Sequence, residues 1–146
     1  MEFDLEQNKS EEKVPMEMAI SEVNTWLDHK KVKPKKREAM KGMIDLLVDA
    51  IVAGELSLME DMKWKHTLAF PLTGEGGSVS VSEITYLPRM NDAMKEQYRR
   101  GLKGDDLNTQ TLLTLCALTR QPINVIRNLD DSTDRSVADA IAFFFM

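Results

Sequence analysis

Residues Lys63-Trp64-Lys65-His66-Thr67-Leu68-Ala69-Phe70-Pro71-Leu72 alternate in character. Trp64, His66, Leu68, Phe70 and Leu72 fall on one side, and Lys63, Lys65, Thr67 and Ala69 on the other. A period of two is the signature of a β-strand with one buried face. Thr73-Gly74-Glu75-Gly76-Gly77-Ser78 follows, rich in residues that tolerate turn geometry. Val79 to Tyr86 reads as the returning strand. Its phase slips, with Val79 and Val81 on one face and Ile84 and Tyr86 on the other, so a bulge near Ser82-Glu83 is expected. The pair is a β-hairpin spanning 63–87. A lone hairpin is marginally stable, so it must pack on helices or join another chain's sheet.

The flanks carry helical period. Met16, Ala19, Ile20, Val23, Trp26 and Leu27 recur at spacings of three and four, which predicts a helix over Glu17–Asp28. Pro34 suits a first helical position, and the next helix is expected to run unbroken to about Ala53. Its stripe is Met40, Met43, Ile44, Leu47, Val48 and Ile51; Glu38, Lys41, Asp45 and Asp49 face the other way, and Gly54 is its stop. After Pro88, Asn91 or Asp92 caps a helix bearing Met90, Met94 and Tyr98. Gly101 and Gly104 break it. Asp105 and Asp106 open a helix with Leu112, Leu115, Cys116 and Thr119 on one face. Pro122 opens a short helix with Val125, Ile126 and Leu129 inward. Asp131 or Ser132 caps the last one, along which Val137, Ile141, Phe144 and Phe145 form the inner stripe, leaving Phe143 and Met146 outward.

The expected fold class is therefore α+β: a mostly helical small domain with two N-terminal helices, one antiparallel hairpin and about four short helices. Residues 1–15 read as a flexible acidic arm. Residues 16–146 read as a single domain, divided into a helical part (16–54), the hairpin (63–87) and a helical part (88–146).

The 146 residues carry 19 Lys+Arg against 24 Asp+Glu, a formal charge of −5, which disfavours nonspecific nucleic-acid binding. The single cysteine, Cys116, lies in an apolar run and excludes an intramolecular disulfide. Neither HxxxH nor CxxC occurs, so His66 reads as a core or edge residue of the strand rather than a metal ligand. Asp130, Asp131 and Asp134 lack the glycine-pivoted calcium-loop pattern and read as helix caps. Gly74, Gly76 and Gly77 join two strands, so no helix N-terminus points at an anion. No catalytic constellation stands out, and neither an enzyme nor a cofactor is expected. The acidic start lacks an apolar signal core, and no run nears the ~18 residues of a membrane span, so an intracellular protein is expected.

Two surfaces stand out. Lys30, Lys31, Lys33, Lys35, Lys36 and Arg37 form the one basic cluster, either a nucleic-acid patch or a solvated linker; no aromatic residues interleave with it. Ten Met residues fall largely in pairs (Met16/Met18, Met40/Met43, Met59/Met62, Met90/Met94), which suits either core filling or a groove accepting varied apolar helices.

Ser82-Glu83-Ile84-Thr85-Tyr86-Leu87-Pro88-Arg89 leads into the Met90-Asn91-Asp92 cap. Leu112 to Thr119 is a Leu-rich helix followed by Pro122, Ile126 and Leu129, and the chain closes with Asp134, Ile141, Phe143 and Phe144. In this pattern residues 65–146 resemble the tail assembly chaperones of tailed bacteriophages. In that family an Ile/Leu-Thr-Leu/Tyr strand precedes Arg and Pro, a capped helix, and a closing Asp-to-Phe-Phe helix. Here Pro88 precedes Arg89, the reverse of the commoner order. The resemblance implies a non-enzymatic, self-associating protein of the host cytoplasm. It implies a tape measure protein, or another phage tail protein, as partner. Met90, Met94, Phe143 and Met146 are the candidate client contacts, and Trp64 and His66, on the hairpin, the candidate contacts for self-association. Two alternatives stand beside it: a structural virion protein of the tail or neck, and a small nucleic-acid-binding regulator acting through Lys30–Arg37.

Overall fold

The computed structural model describes residues 13–74, 79–100 and 102–146. Most of the acidic arm (residues 1–12), the heart of the glycine turn (75–78) and Gly101 lie outside the described residues. The fold is a small mixed α+β domain of helices around a three-stranded antiparallel sheet.

Helix α1 (Met16–His29) buries Ala19, Val23, Trp26 and Leu27 as one stripe. It ends in a Schellman turn. Lys31 takes the left-handed conformation (φ 58°) usually given to glycine, and Val32 N–H returns to Leu27 O at 3.0 Å. The long helix expected over 34–53 is two helices, α2 (Pro34–Ala39) and α3 (Lys41–Val52), broken at Met40 (φ −105°, ψ 23°). Each half has its own anchor. Arg37 ties α2 to the end of α1, donating from Nε to Val32 O and from Nη2 to Asp28 Oδ1, both at 2.8 Å. α3 instead docks Leu47, Val48, Ala50 and Ile51 in the core. The break falls two residues before Gly42, where helix propensity is weakest.

The hairpin has a third strand that the sequence did not reveal. β1 (Leu56–Leu58) pairs antiparallel with β2 (Trp64–Thr73), Leu56 opposite His66 and Leu58 opposite Trp64. Three residues are too few for alternation to register. β3 (Val79–Tyr86) pairs along the other edge of β2.

The bulge lies beside Ser82 as expected, but its extra residues belong to β2. Thr67 faces Glu83 and Leu72 faces Val81, so five steps of β2 match two of β3. This re-aims the strand. Phe70, expected on the buried face with Trp64, is exposed.

The bulge takes two N–H groups out of the ladder, and one buried carboxylate accepts both. Asp134 Oδ1 receives Ala69 N–H at 2.8 Å and Oδ2 receives Phe70 N–H at 3.0 Å. Asp134 opens the last helix, α6 (Asp134–Phe143), where the helix dipole favours a negative charge. It does not act as the helix's own cap, and Asp131 and Ser132 do not cap it either; Thr133 precedes the helix, with no side-chain cap bond. His66 Nε2 lies 3.4 Å from Asp134 Oδ1, close but poorly aligned for a hydrogen bond, and His66 Nδ1 is 2.9 Å from Tyr86 Oη. A neutral imidazole with its proton on Nε2 fits both neighbours: Tyr86 O–H donates to Nδ1, and Nε2–H faces the carboxylate. Burial holds the His66 imidazole below its ordinary range, with Asp134 pulling the other way. Burial, with Asp134 and Asp139 behind it, pushes the Tyr86 phenol up.

The rest of the helices wrap the sheet. A 3₁₀ helix (Asp92–Tyr98), rather than an α-helix, follows β3, capped by Asn91 on Met94 N–H. α4 (Leu107–Thr119) is capped by Asp106 accepting from Thr109 N–H at 2.9 Å. It was expected to bury one face, yet every residue from Thr111 to Thr119 is buried. The 3₁₀ helix, the short α5 (Ile123–Arg127), α6 and β3 pack around it. Trp26 sits at the junction of the layers, edge-on to Trp64 and to Phe144, each with centroids 5.4 Å away.

Two measurements check the Asp134 site. Asp134→Ala strands two backbone donors, and a loss of about 3 kcal/mol in urea unfolding is expected; a loss under about 1 kcal/mol would show that the bulge stands without it. The folded state resists protonating His66, so the unfolded state takes up the proton first as pH falls below 6.5. The stability that neutral His66 contributes is whole above that pH and lost progressively below it. The melting temperature should therefore fall between pH 6.5 and 5, and His66→Gln should flatten that decline.

Candidate partner-binding groove

The end of α1 brings His29, Lys30 and Lys31 to one rim of a surface groove of about 440 Å³. Lys36, on the first turn of α2, adds to the same wall, because Arg37 holds α2 against the end of α1. Pro88, Arg89 and Met90 enter from the segment after β3, whose path is fixed by Leu87 N–H donating to Leu118 O at 2.9 Å. Phe144, Phe145 and Met146 form the floor as the chain leaves α6.

The groove is cationic over an apolar base. Lys30 Nζ lies 3.4 Å from the Phe145 ring centroid and 5.6 Å from that of Trp26, a cation–π arrangement. Its ammonium is lowered to about 8, first by burial and then by repulsion from Lys36 and Arg89. Among the described residues, no Asp or Glu side chain lines the groove. A half-buried ammonium facing other cations gains most from an anion, while the Phe and Met side chains offer area to an apolar group.

Five of the residues singled out from sequence meet here: Lys30, Lys31, Lys36, Met90 and Met146. The basic cluster and the apolar C-terminal residues, read as separate surfaces, are two walls of one site. Lys33 and Lys35 are exposed outside it, and Arg37 is turned back onto Asp28. Met94 and Phe143 are half-buried and do not line it. Trp64 and His66 are not surface residues. Trp64 is 1% exposed against Trp26 and His66 is fully buried between Tyr86 and Asp134, because the first and last helices cover that face of β2 while β1 closes its edge. Neither side chain is open to a partner.

Sequence reasoning missed Arg89, Phe144 and Phe145 as parts of the site. The helical spacing places both Phe144 and Phe145 on the inner stripe. Phe144 is buried, but Phe145 is half-open and carries the contact to Lys30.

A second groove, of about 490 Å³, runs between α1 and α3. Met16, Ile20, Ile44 and Val48 form its apolar lining, with Lys41, Asp45 and Asp49 on the rim. Met16 (46% exposed) and Ile20 (44%) lie on the sequence's apolar stripe, yet the core takes only its Ala19–Val23–Trp26–Leu27 side. Elsewhere, the Cys116 thiol is pushed up to about 11 by burial, which removes it as a nucleophile near neutral pH. Among the described residues no three His, Cys, Asp or Glu side chains converge on a common point, and no helix is long and apolar enough to cross a membrane.

The two ends of the Phe-Phe-Met run should separate on substitution. Phe144→Ala, emptying a buried site against Trp26, is expected to cost about 3 kcal/mol in urea unfolding, and Met146→Ala less than about 1 kcal/mol. Equal costs would mean that Met146 is packed as tightly as Phe144.

No protein-family model, curated protein or solved structure matches this chain.

Proposed function

We propose that this chain is a non-enzymatic assembly chaperone of the phage tail type, acting in the host cytoplasm. It holds an apolar helical segment of a tape measure protein until the tail tube encloses it. The observation that supports this reading is the groove between α1 and α3. Met16, Ile20, Ile44 and Val48 line an apolar channel between two packed helices, a kind of site that an amphipathic helix fills with residues at i, i+3, i+4 and i+7. Flexible Met16 lets the channel accept side chains of several shapes. The contacts are broad and individually weak, as a holder that must later release its client requires.

Co-expression with a tape measure protein from the same genome tests the reading. The client is expected to co-purify with the wild-type chain. Met16→Glu with Ile20→Glu should lower its recovery at least about tenfold, equivalent to about 1.4 kcal/mol, with the melting temperature unchanged. A tape measure protein equally soluble alone and never co-purifying would defeat the proposal. The chain's presence in purified particles would make it a structural tail protein instead.

A further inference from the structure

The rim of the α1–α3 channel is charged, and the charge has a pattern. The start of α1 is tied to the end of α3, because Lys13 N–H and Val14 N–H both donate to Val52 O, at 2.9 and 3.2 Å. The end of α1 is tied through Asp28 and Arg37 to α2, which leads into the start of α3. The two helices therefore run in opposite directions along the channel. On the α3 wall, Lys41, Asp45 and Asp49 stand at i, i+4 and i+8, about 6 Å apart along the axis. All three are exposed, and among the described residues none of them is in an ion pair. The α1 wall offers uncharged Asn24. Lys13 and Glu17, at the mouth beside Met16, are of opposite sign. Lys41 marks one end of the channel, and two carboxylates border the rest of it.

That charge discriminates between the segments that could lie there. Residues 1–12 join the domain at this mouth through Lys13, and they include apolar Phe3 and Leu5. Those two are interleaved with Glu2, Asp4 and Glu6. Seating Phe3 and Leu5 in the channel would bring three more carboxylates up to Asp45 and Asp49, and like charges at close range repel. The same holds for that segment of a second copy. A helix with Lys or Arg beside its apolar stripe has the opposite sign. Two such residues one turn apart meet Asp45 and Asp49 at their own spacing. The overall charge of −5 draws such a helix in, while the groove of Lys30, Lys31, Lys36 and Arg89 turns it away.

We propose that the α1–α3 channel takes an amphipathic helix of a partner protein whose apolar stripe is bordered by Lys or Arg, and that Asp45 and Asp49 select it. This rests on the reading of the channel as the client site and adds what the client must carry. Exposed ion pairs each contribute little, so the carboxylates govern the choice of partner while the apolar lining holds it.

Two synthetic peptides test it against the full-length chain, by fluorescence anisotropy in ~50 mM salt, where surface charge is weakly screened. Both are amphipathic helices of about 18 residues with the same Leu stripe at i, i+3, i+4 and i+7. One has Lys along the border of the stripe, the other Glu. The Lys peptide is expected to bind the wild type at least about tenfold more tightly than the Glu peptide. D45K/D49K should invert that order, with the Glu peptide binding more tightly than it does to the wild type, a gain that misfolding cannot produce. E60K/D131K makes the same change in net charge at exposed acids outside the channel lining, and should keep the preference within about threefold of wild type. Equal binding of both peptides, or a preference lost as fully in E60K/D131K as in D45K/D49K, overturns the charge selection and leaves the client reading standing. Binding of neither peptide overturns both.

Discussion

The Asp134 carboxylate is the constraint on which the rest of the structure depends. A bulge in the central strand of a sheet leaves backbone donors unpaired, and buried unpaired donors are costly. Asp134 accepts both of the N–H groups that β2 releases, from the first residue of a helix whose dipole favours its charge. A helix is thereby fixed to a strand 64 residues earlier in the chain. His66 and Tyr86 line up behind the carboxylate, so strands β2 and β3 and helix α6 share one buried polar network.

Docking α6 in that way directs the chain's final turn toward the end of α1. Phe144 reaches Trp26, and Phe145 lies under the Lys30 ammonium. The left-handed Lys31 closes α1 just there, and Arg37 holds α2 alongside. The basic groove is a consequence of these anchors. None of its walls is adjacent in sequence to its floor, and its field exists only because three cationic segments converge over one aromatic surface. The α1–α3 groove has a simpler origin. α1 carries more apolar positions than its contact with the sheet and α6 can cover, and α3 shields only part of the excess.

Much of the fold was legible in local patterns. The alternation from Trp64 to Leu68 marked a strand, the glycine turn marked a reversal, and the slipped phase of Val79–Tyr86 marked a bulge. The stripe of α1, the Asn91 and Asp106 caps and the helix opened by Pro122 each rest on a few neighbouring residues. The misses share a physical cause. β1 is three residues long and exists because β2 offers it an edge. The helix break at Met40 reflects two anchors pulling one segment in different directions. α4 looks one-sided in sequence because its other face carries Thr111 and Thr114, yet the tertiary structure buries that face as well.

For the candidate site the division is sharper. The sequence by itself determined the ingredients: a basic run after α1, an apolar Phe-Phe-Met end, surplus Met and Ile on α1, and an α+β framework to carry them. Only the tertiary structure decided which of these meet. It buried Trp64 and His66, turned Arg37 inward, exposed Phe70, and joined Lys30, Lys31 and Lys36 to Met90 and Met146. The reason is that periodicity reports which residues prefer to leave water, whereas the position of a charge depends on long-range anchors. Here those anchors are one aspartate on a strand bulge and one arginine on a helix end, and neither leaves a repeating trace in the sequence.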